Sequence, residues 1–273
     1  MKTRFALTLM ALLPILVACK AQDGSSDTAP APAPAAETAT APAATPATDA
    51  AAPPAVGESA NAPATDTAAA PPAPAPRAPN GPEPVAGTDY LDIEGGQPYQ
   101  QAAGKIEVAE VFGYVCPACN AFQPLIGPWK AGLPSDVHFV YVPAMFGGPW
   151  DDYARAFYAA ETLGVQEKTH DALYKAIQVD QSLKGERGKD SVQDIAGFYA
   201  KYGVDSKTFI DTMSSFGVSA KTNRAKQFAT RSKITGTPSL IVNGKYLVKG
   251  QSFPDMLRIA DHLIARERAT LAK

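Results

Sequence analysis

Two cysteines separated by two residues are the part of this sequence best suited to covalent chemistry. Cys116 and Cys119 enclose Pro117 and Ala118 in a Cys-x-x-Cys motif. A disulfide that closes so short a loop contributes little through the entropy of the unfolded chain, so a structural bridge explains the pair poorly. A thiolate can instead attack a disulfide sulfur, and a second thiol can resolve the mixed disulfide that results. The motif therefore predicts a catalytic pair that carries out thiol–disulfide exchange.

Half of a zinc site is the alternative for the same pair. Structural zinc usually takes four Cys or His ligands. The histidines show no ligand spacing around the motif, at His138, His170 and His262. We therefore expect neither a metal nor a cofactor. A tethered metallochaperone stays open as an alternative, and the metal content of the purified protein would distinguish it from a redox enzyme.

The motif lies where a predicted strand meets a predicted helix. Residues 105–114 are rich in β-branched and aromatic side chains, and residues 120–126 can continue as helix. Pro117 suits the first helical position, because its missing N–H would have had no intrahelical partner. Cys116 is then expected at the helix N-terminus, where free N–H groups and the helix dipole favour a thiolate.

The remaining pattern predicts an α/β fold in which a small mixed sheet carries a helical insertion. Further strands are expected at 90–93 and 137–142, helices over about 150–234, a hairpin at 239–248 around Asn243-Gly244, and a last helix after Pro254. This order is not that of a doubly wound sheet. The insertion falls between the third and fourth principal strands.

Together these features resemble the DsbA-type family of the thioredoxin-like fold. The resemblance rests on the strand–Cys-x-x-Cys–helix start, the helical insertion, the late Thr237-Pro238 and the hairpin after it, and it covers about residues 85–273. It implies a protein thiol–disulfide oxidoreductase. It also implies that Cys116 is the exposed attacking sulfur and that Cys119 is the shielded one.

Three further positions take roles from this resemblance. Thr237-Pro238 occupies the place of a cis-proline that faces the cysteines and pairs with substrate, whereas the alternative is an ordinary trans proline that opens an edge strand. Glu110 lies six residues before Cys116 and matches a buried acid that exchanges protons with Cys119. The alternative for Glu110 is an edge-strand residue that faces water.

Ala118 departs from the Pro-His dipeptide that is common between the cysteines of DsbA-type oxidases. In those proteins the His stabilises the thiolate. Its absence predicts that Cys116 is less acidic here and that this protein is a weaker oxidant than its Pro-His relatives.

The N-terminus predicts export. Positive charge at residues 1–4 precedes an apolar run from Phe5 to Val17, which is shorter than the roughly 20 residues that span a bilayer. We interpret residues 1–18 as a signal peptide. Residues 16–19 resemble a lipobox, which predicts lipidation of Cys19, although an ordinary signal peptide that contains a Cys is the alternative. In lipoproteins of enteric bacteria an Asp after the acylated Cys favours the inner membrane, so by this resemblance Lys20 favours the outer one.

Composition separates the folded part of the chain from a long linker. Of the 25 prolines, 15 fall between Ala21 and Pro84, among Ala and Thr. Such a segment cannot bury enough apolar surface to offset its ordering entropy, so residues 19–84 are predicted to be a disordered tether before a domain at 85–273. The formal net charge of −2 gives no reason to expect nucleic acid as a partner.

These observations predict a monomeric, lipid-anchored enzyme of the periplasm that introduces disulfides into exported proteins with free thiols. The resemblance implies reoxidation by a DsbB-like membrane partner. The alternatives are a disulfide reductase or isomerase, and a tethered metallochaperone or folding chaperone that is not an enzyme. Known isomerases of this type generally need an added dimerisation domain, which a Pro/Ala tether does not provide.

Overall fold

A computed structural model describes residue 75 and residues 78–272, in which five strands form one mixed sheet. The strands are β1 (Tyr90–Asp92), β2 (Ile106–Phe112), β3 (Val137–Pro143), β4 (Ser239–Val242) and β5 (Tyr246–Val248). Their order across the sheet is β1-β5-β4-β2-β3. β2 and β3 run parallel, whereas β4 is antiparallel to both β2 and β5, and β1 is antiparallel to β5.

The helices follow the predicted order. They are α1 (Pro117–Ala131), α2 (Pro149–Thr162), α3 (Gln166–Tyr174), α4 (Val192–Ala200), α5 (Ser206–Met213), α6 (Phe216–Arg231) and α7 (Phe253–Leu271). A π-helical turn, Lys175–Val179, continues α3, and a 3-10 turn, Gly185–Arg187, follows before α4. The helices α2 to α6 all lie between β3 and β4 in the chain, where the insertion was expected.

The central strand β2 carries the residues that lead to the cysteines. All seven of its residues are buried, because β3 and β4 pair with its two edges and apolar side chains cover both faces. Ile106 and Val108 pack with residues of α1 and α7, whereas Ala109 and Val111 pack with the helical insertion. Since side chains alternate along a strand, Glu110 faces the same side as Val108, beneath α1.

The β4–β5 connection confirms the predicted Asn-Gly hairpin. Asn243 and Gly244 have positive φ values of 50° and 66°, and the Lys245 N–H donates to the Val242 carbonyl at 2.9 Å. Gly244 is also required by a close approach, since an added Cβ would lie 2.1 Å from the backbone of Gln97. The turn therefore needs both the left-handed backbone and the missing side chain.

The chain before β1 already contacts α7. The Asn80 carbonyl lies 3.1 Å from Nε2 of His262, and Glu83 pairs with Arg266 at 3.3 Å. Asn80 and Glu83 lie on the linker side of the predicted domain boundary at residue 84. That boundary stays a prediction. The predicted signal peptide, Cys19 and most of the predicted tether lie outside the described residues. Among residues 78–272, no helix has the length and apolarity needed to cross a bilayer.

Candidate active site

The end of β2 and the start of α1 place Cys116 at a helix N-terminus. Cys116 is the N-cap residue of α1, with φ −82° and ψ 116°, and Pro117 is the first residue of the helix. The Asn120 N–H donates to the Cys116 carbonyl at 3.2 Å, while the Cys119 N–H donates to Sγ of Cys116 at 3.4 Å. The sulfur thus caps a free N–H of the first helical turn, as the position of Pro117 predicts.

The two thiols are free and have opposite electrostatic environments. A hydrogen bond from the Cys119 thiol is the largest cause that lowers the pKa of Cys116 to about 6; donors at Thr237, Cys119 and Ala118 add to it, and burial opposes it. For Cys119, burial first and the Cys116 sulfur second raise the pKa far above its ordinary value. Near neutral pH, therefore, Cys116 is largely a thiolate and Cys119 stays a thiol.

The two cysteine residues differ less in exposure than the family resemblance implies. Cys116 is 7% exposed and Cys119 is 0% exposed, so Cys116 is nearly covered rather than open to solvent. Pro117 and Ala118 are exposed beside it. An attacking or leaving substrate sulfur therefore has access to Cys116 and none to Cys119, although that access is narrow.

Thr237 and Pro238 form part of this cover. The peptide bond between them is cis, so the alternative of an ordinary trans proline is wrong. The Thr237 carbonyl lies 3.5 Å from Sγ of Cys116 and accepts a hydrogen bond from it when Cys116 is protonated. β4 begins directly afterwards at Ser239 and pairs with β2, and this pairing brings the dipeptide beside a cysteine 121 residues away.

Glu110 is completely buried beneath the active-site helix. The alternative of an edge strand that faces water is wrong, because β2 lies between β4 and β3. Neither carboxyl oxygen has a hydrogen-bond partner among the described residues. Burial raises the pKa of Glu110 to about 8; Lys130 opposes this rise, and Cys116 adds to it. A carboxyl group in this position is mostly protonated near neutral pH.

Lys130 supplies the positive charge near Glu110, and sequence reasoning missed it. Its Nζ donates to the Tyr141 hydroxyl at 3.3 Å and lies 4.7 Å from the centre of the Tyr141 ring. Tyr141 is in turn directly opposite Glu110 in the β2–β3 register. Helical spacing offered a signal, since Lys130 lies one turn after the buried Ile126 on α1.

His170 of α3 lies against the same tyrosine without adding a second charge. Its ring centre is 4.2 Å from that of Tyr141, and its Nδ1 lies 2.9 Å from the Tyr114 hydroxyl. Burial, with Lys130 as the second cause, lowers the pKa of His170 to about 3, so the ring is neutral. No sequence signal distinguished this histidine from the other two.

The residues predicted from sequence therefore meet at one place: Glu110, Cys116, Pro117, Ala118, Cys119, Thr237 and Pro238. Cys19 lies outside the described residues. Within residues 78–272, no three or more His, Cys, Asp or Glu side chains are grouped so that they could hold a metal ion. A reactive thiolate, a shielded thiol and a buried carboxyl group are suited to the exchange of disulfides and protons.

Comparison with protein families and curated relatives points to the same chemistry. The family model of the DSBA-like thioredoxin domain matches residues 135–260. Over 187 residues the chain is 43% identical to the thiol:disulfide interchange protein DsbA of Pseudomonas syringae pv. tomato, covering 67% of this chain and 85% of that protein. The DsbA of Pseudomonas aeruginosa is 39% identical over 191 residues, covering 69% and 88%.

Solved structures agree with the fold. The crystal structure of the oxidoreductase DsbA from Xylella fastidiosa aligns with a TM-score of 0.66 and 43% identity, covering 68% of this chain and 98% of that one. The crystal structure of Pseudomonas aeruginosa DsbA aligns with a TM-score of 0.63 and 38% identity, covering 69% and 97%.

Proposed function

Because the chain belongs to the DsbA family of thiol:disulfide oxidoreductases, we propose that it introduces disulfides into exported proteins through Cys116 and Cys119. The observation that carries this assignment is the contrast between the two thiols. The pKa of Cys116 is lowered to about 6, whereas burial raises that of Cys119 far above the ordinary range. Because the two thiols differ in this way, the substrate reacts with Cys116 first and Cys119 is the sulfur that is released.

The first step is an attack on Cys116. In the oxidised enzyme, a substrate thiolate attacks Sγ of Cys116, the Cys116–Cys119 bond breaks, and its electron pair passes to the Cys119 sulfur. A mixed disulfide now joins the substrate to Cys116. Cys119 cannot be attacked directly, because it is completely buried.

The released Cys119 sulfur must then gain a proton. A thiolate buried this deeply is costly, and burial is what raises the pKa of Cys119. Glu110 is mostly protonated near neutral pH and acts electrostatically on Cys119, so it is the acid we assign to this transfer. When the pair is reoxidised, the Glu110 carboxylate takes the proton back.

The second step releases the product. A second substrate thiolate attacks the substrate sulfur of the mixed disulfide, a substrate disulfide forms, and Cys116 leaves with the electron pair. Thiols of low pKa leave faster, so the lowered pKa of Cys116 favours this direction. The substrate is oxidised by two electrons, and the enzyme is left as the dithiol.

Thr237 and Pro238 are assigned to substrate binding. The Thr237 carbonyl lies 3.5 Å from Sγ of Cys116, so a peptide joined to that sulfur must run alongside the Thr237 backbone. Backbone pairing of this kind accepts many sequences, because it does not depend on the side chains of the peptide. Such pairing is compatible with substrates that share only a free thiol.

The site and the N-terminus together suggest where the enzyme works. Residues 1–18 are assigned to a signal peptide and Cys19 to lipidation, which would hold the domain in the periplasm at a membrane, with Lys20 favouring the outer one. A DsbB-like membrane protein is the assigned reoxidising partner. Labelling of cells with a radioactive or clickable fatty acid tests this assignment. The Cys19→Ser protein should carry no lipid label, while its purified domain should keep the activity of the wild type. Lipid label that persists in Cys19→Ser would contradict the assignment.

A single-turnover assay tests the reaction itself. Purified oxidised protein is mixed with excess peptide that carries two thiols, and the peptide disulfide is counted by mass spectrometry. We expect one peptide disulfide per enzyme, and none with Cys116→Ser. Equilibration with glutathione then separates the alternatives. A strongly reducing poise, similar to that of thioredoxin, would overturn the assignment as an oxidase and favour a reductase.

A further inference from the structure

The three residues before Cys116 are held by the helical insertion rather than by the sheet. Gly113, Tyr114 and Val115 lie between the end of β2 and the start of α1, where neither element supplies regular hydrogen bonds. The Cys116 N–H donates to the Gly113 carbonyl at 3.0 Å. The conformation of this junction, residues 113–115, therefore sets where the Cys116 sulfur lies.

Contacts from the insertion cover each residue of the junction. The Trp150 ring lies so close to Gly113 that an added Cβ would be 2.2 Å from it. Val115 meets Gly185, whose φ is +57° and where an added Cβ would lie 2.7 Å from Ile177 and 3.5 Å from Val115. These contacts leave room for glycine alone at 113 and 185.

Tyr114 is held at both ends. Its hydroxyl lies 2.9 Å from Nδ1 of His170, and its carbonyl accepts from Nε2 of Gln178 at 2.8 Å. The hydrogen bond from Gln178 to the Tyr114 carbonyl links the π-helical turn to the backbone of the junction. In that turn the Asp180 N–H donates to the Lys175 carbonyl at 2.9 Å, five residues back.

A π-helical turn is costly and rare, and such turns concentrate at functional sites. Here the extra residue changes the direction of the side chains that follow α3. Gln178 is half-buried and points to Tyr114, whereas the next residue, Val179, is 62% exposed. The unusual turn and the hydrogen bond to the junction are two separate observations about the same side chain.

We propose that Gln178 is a positioning residue, which holds the Tyr114 carbonyl so that the Cys116 sulfur stays at the N-terminus of α1. The helical insertion thereby controls how much of Cys116 is thiolate. This inference rests on the proposed role of Cys116 as the attacking sulfur. Without the hydrogen bond the junction relaxes, and the sulfur loses part of its contact with the Cys119 N–H, 3.4 Å away.

The thiolate absorbance of the reduced protein, titrated with pH, tests the proposal without an activity assay. Gln178→Met keeps the length of the side chain and removes the donor. Losing a hydrogen bond of this kind should raise the pKa of Cys116 by about half a unit to one unit, which is roughly a three- to tenfold loss of thiolate at low pH. Glu110, which also acts on Cys116, is unchanged in the variant.

Two further variants make the result decisive. Gln178→Leu also removes the donor without adding a charge and should raise the pKa of Cys116 as much, so it serves if the Met variant does not fold. Val179→Ala changes the neighbouring exposed side chain and should leave that pKa unchanged. Folded Gln178 variants that titrate like the wild type, even with lower stability, would overturn the inference, as would an equal shift in Val179→Ala.

The two proposals fail in different ways. If Cys116→Ser still forms peptide disulfides, the proposed function is wrong, whatever the titrations show. If Cys116→Ser is inactive but the Gln178 variants keep the wild-type pKa of Cys116, only the positioning role is wrong.

Discussion

Replacing Glu110 with glutamine should stabilise the reduced protein increasingly as the pH rises. The side chain is completely buried, and its carboxyl oxygens have no hydrogen-bond partner among the described residues. Burial, opposed by Lys130, raises the pKa of Glu110 from 4.5 to about 8. At any pH where the Glu110 carboxyl group is ionised in the unfolded chain, folding must therefore either protonate it or bury its charge.

The sign and size of the effect follow from proton linkage. Between pH 4.5 and about 8 the folded state binds more protons at Glu110 than the unfolded state does, so stability falls as the pH rises. The loss of stability caused by Glu110 is absent below pH 4.5 and complete above about pH 8. At 1.36 kcal/mol per unit, the interval between the two pKa values corresponds to roughly 5 kcal/mol.

Urea denaturation of the reduced protein at several pH values measures this directly. The free energy of unfolding of Glu110→Gln minus that of the wild type should rise by about 1.4 kcal/mol per pH unit through this interval. The unpaired amide adds an offset that does not depend on pH. Glu94→Gln, at an exposed position, is the matched control and should give a difference near zero throughout.

A constant difference between the Glu110 variant and the wild type would refute the reasoning. It would mean that the Glu110 carboxyl group is ionised to the same extent in the folded and unfolded states. Either water or a tighter contact with Lys130 would then stabilise its charge in the folded state. The same variant should slow the single-turnover assay near neutral pH, because the released Cys119 sulfur then lacks its acid.

Three other changes test separate parts of the site. Cys119→Ser, mixed with a peptide whose single cysteine is disulfide-bonded to glutathione, should keep a mixed disulfide on Cys116, visible by mass spectrometry: the Cys116 thiolate displaces one thiol from that disulfide, and no Cys119 sulfur is present to displace the adduct in turn. Loss of the adduct as fast as in the wild type would contradict this. Ala118→His should make the protein a stronger oxidant, so that its equilibrium with glutathione shifts toward the dithiol; an unchanged or opposite shift would count against it. Gly113→Ala should destabilise the fold by about 1–3 kcal/mol in urea, because the added Cβ meets the Trp150 ring; equal stability would show that the ring can move aside.

Local features of the site could be predicted because they depend on neighbours in sequence. The Pro after Cys116 indicates a helix start, and the Asn243-Gly244 dipeptide indicates a tight hairpin. Apolar residues two positions before and after Glu110 indicate a buried face. Each of these signals acts within a few residues, and the structure has the expected element in each case.

Contacts made by the insertion could not be predicted in the same way. Gln178 and Tyr114 are 64 residues apart, and no residue type or spacing near either one indicates their hydrogen bond. The π-helical turn that directs Gln178 has no sequence signal, since the apolar spacing around it is that of an ordinary helix. Lys130 is intermediate: the spacing on α1 places it near the buried face, but only the β2–β3 register shows that Glu110 lies there.

The strength of this enzyme as an oxidant depends on more than the acidity of Cys116. Lowering the pKa of that thiol from 9.0 to about 6 stabilises the dithiol at neutral pH by about 1.4 kcal/mol, because only the part of the shift below neutrality counts. For a two-electron couple this is about 30 mV. A Cys116 pKa lowered still further, as a His at position 118 would provide, adds up to a further 30 mV for each unit. The buried Glu110 opposes the thiolate whenever it is ionised, since each group raises the energy of the other's charge. With Ala118 between the cysteines, the Cys119 thiol, Thr237 and the N–H groups at the start of α1 are what keep the thiolate stable. Under the positioning role proposed for Gln178, the potential of this protein should therefore respond to changes in the insertion as well as in the motif.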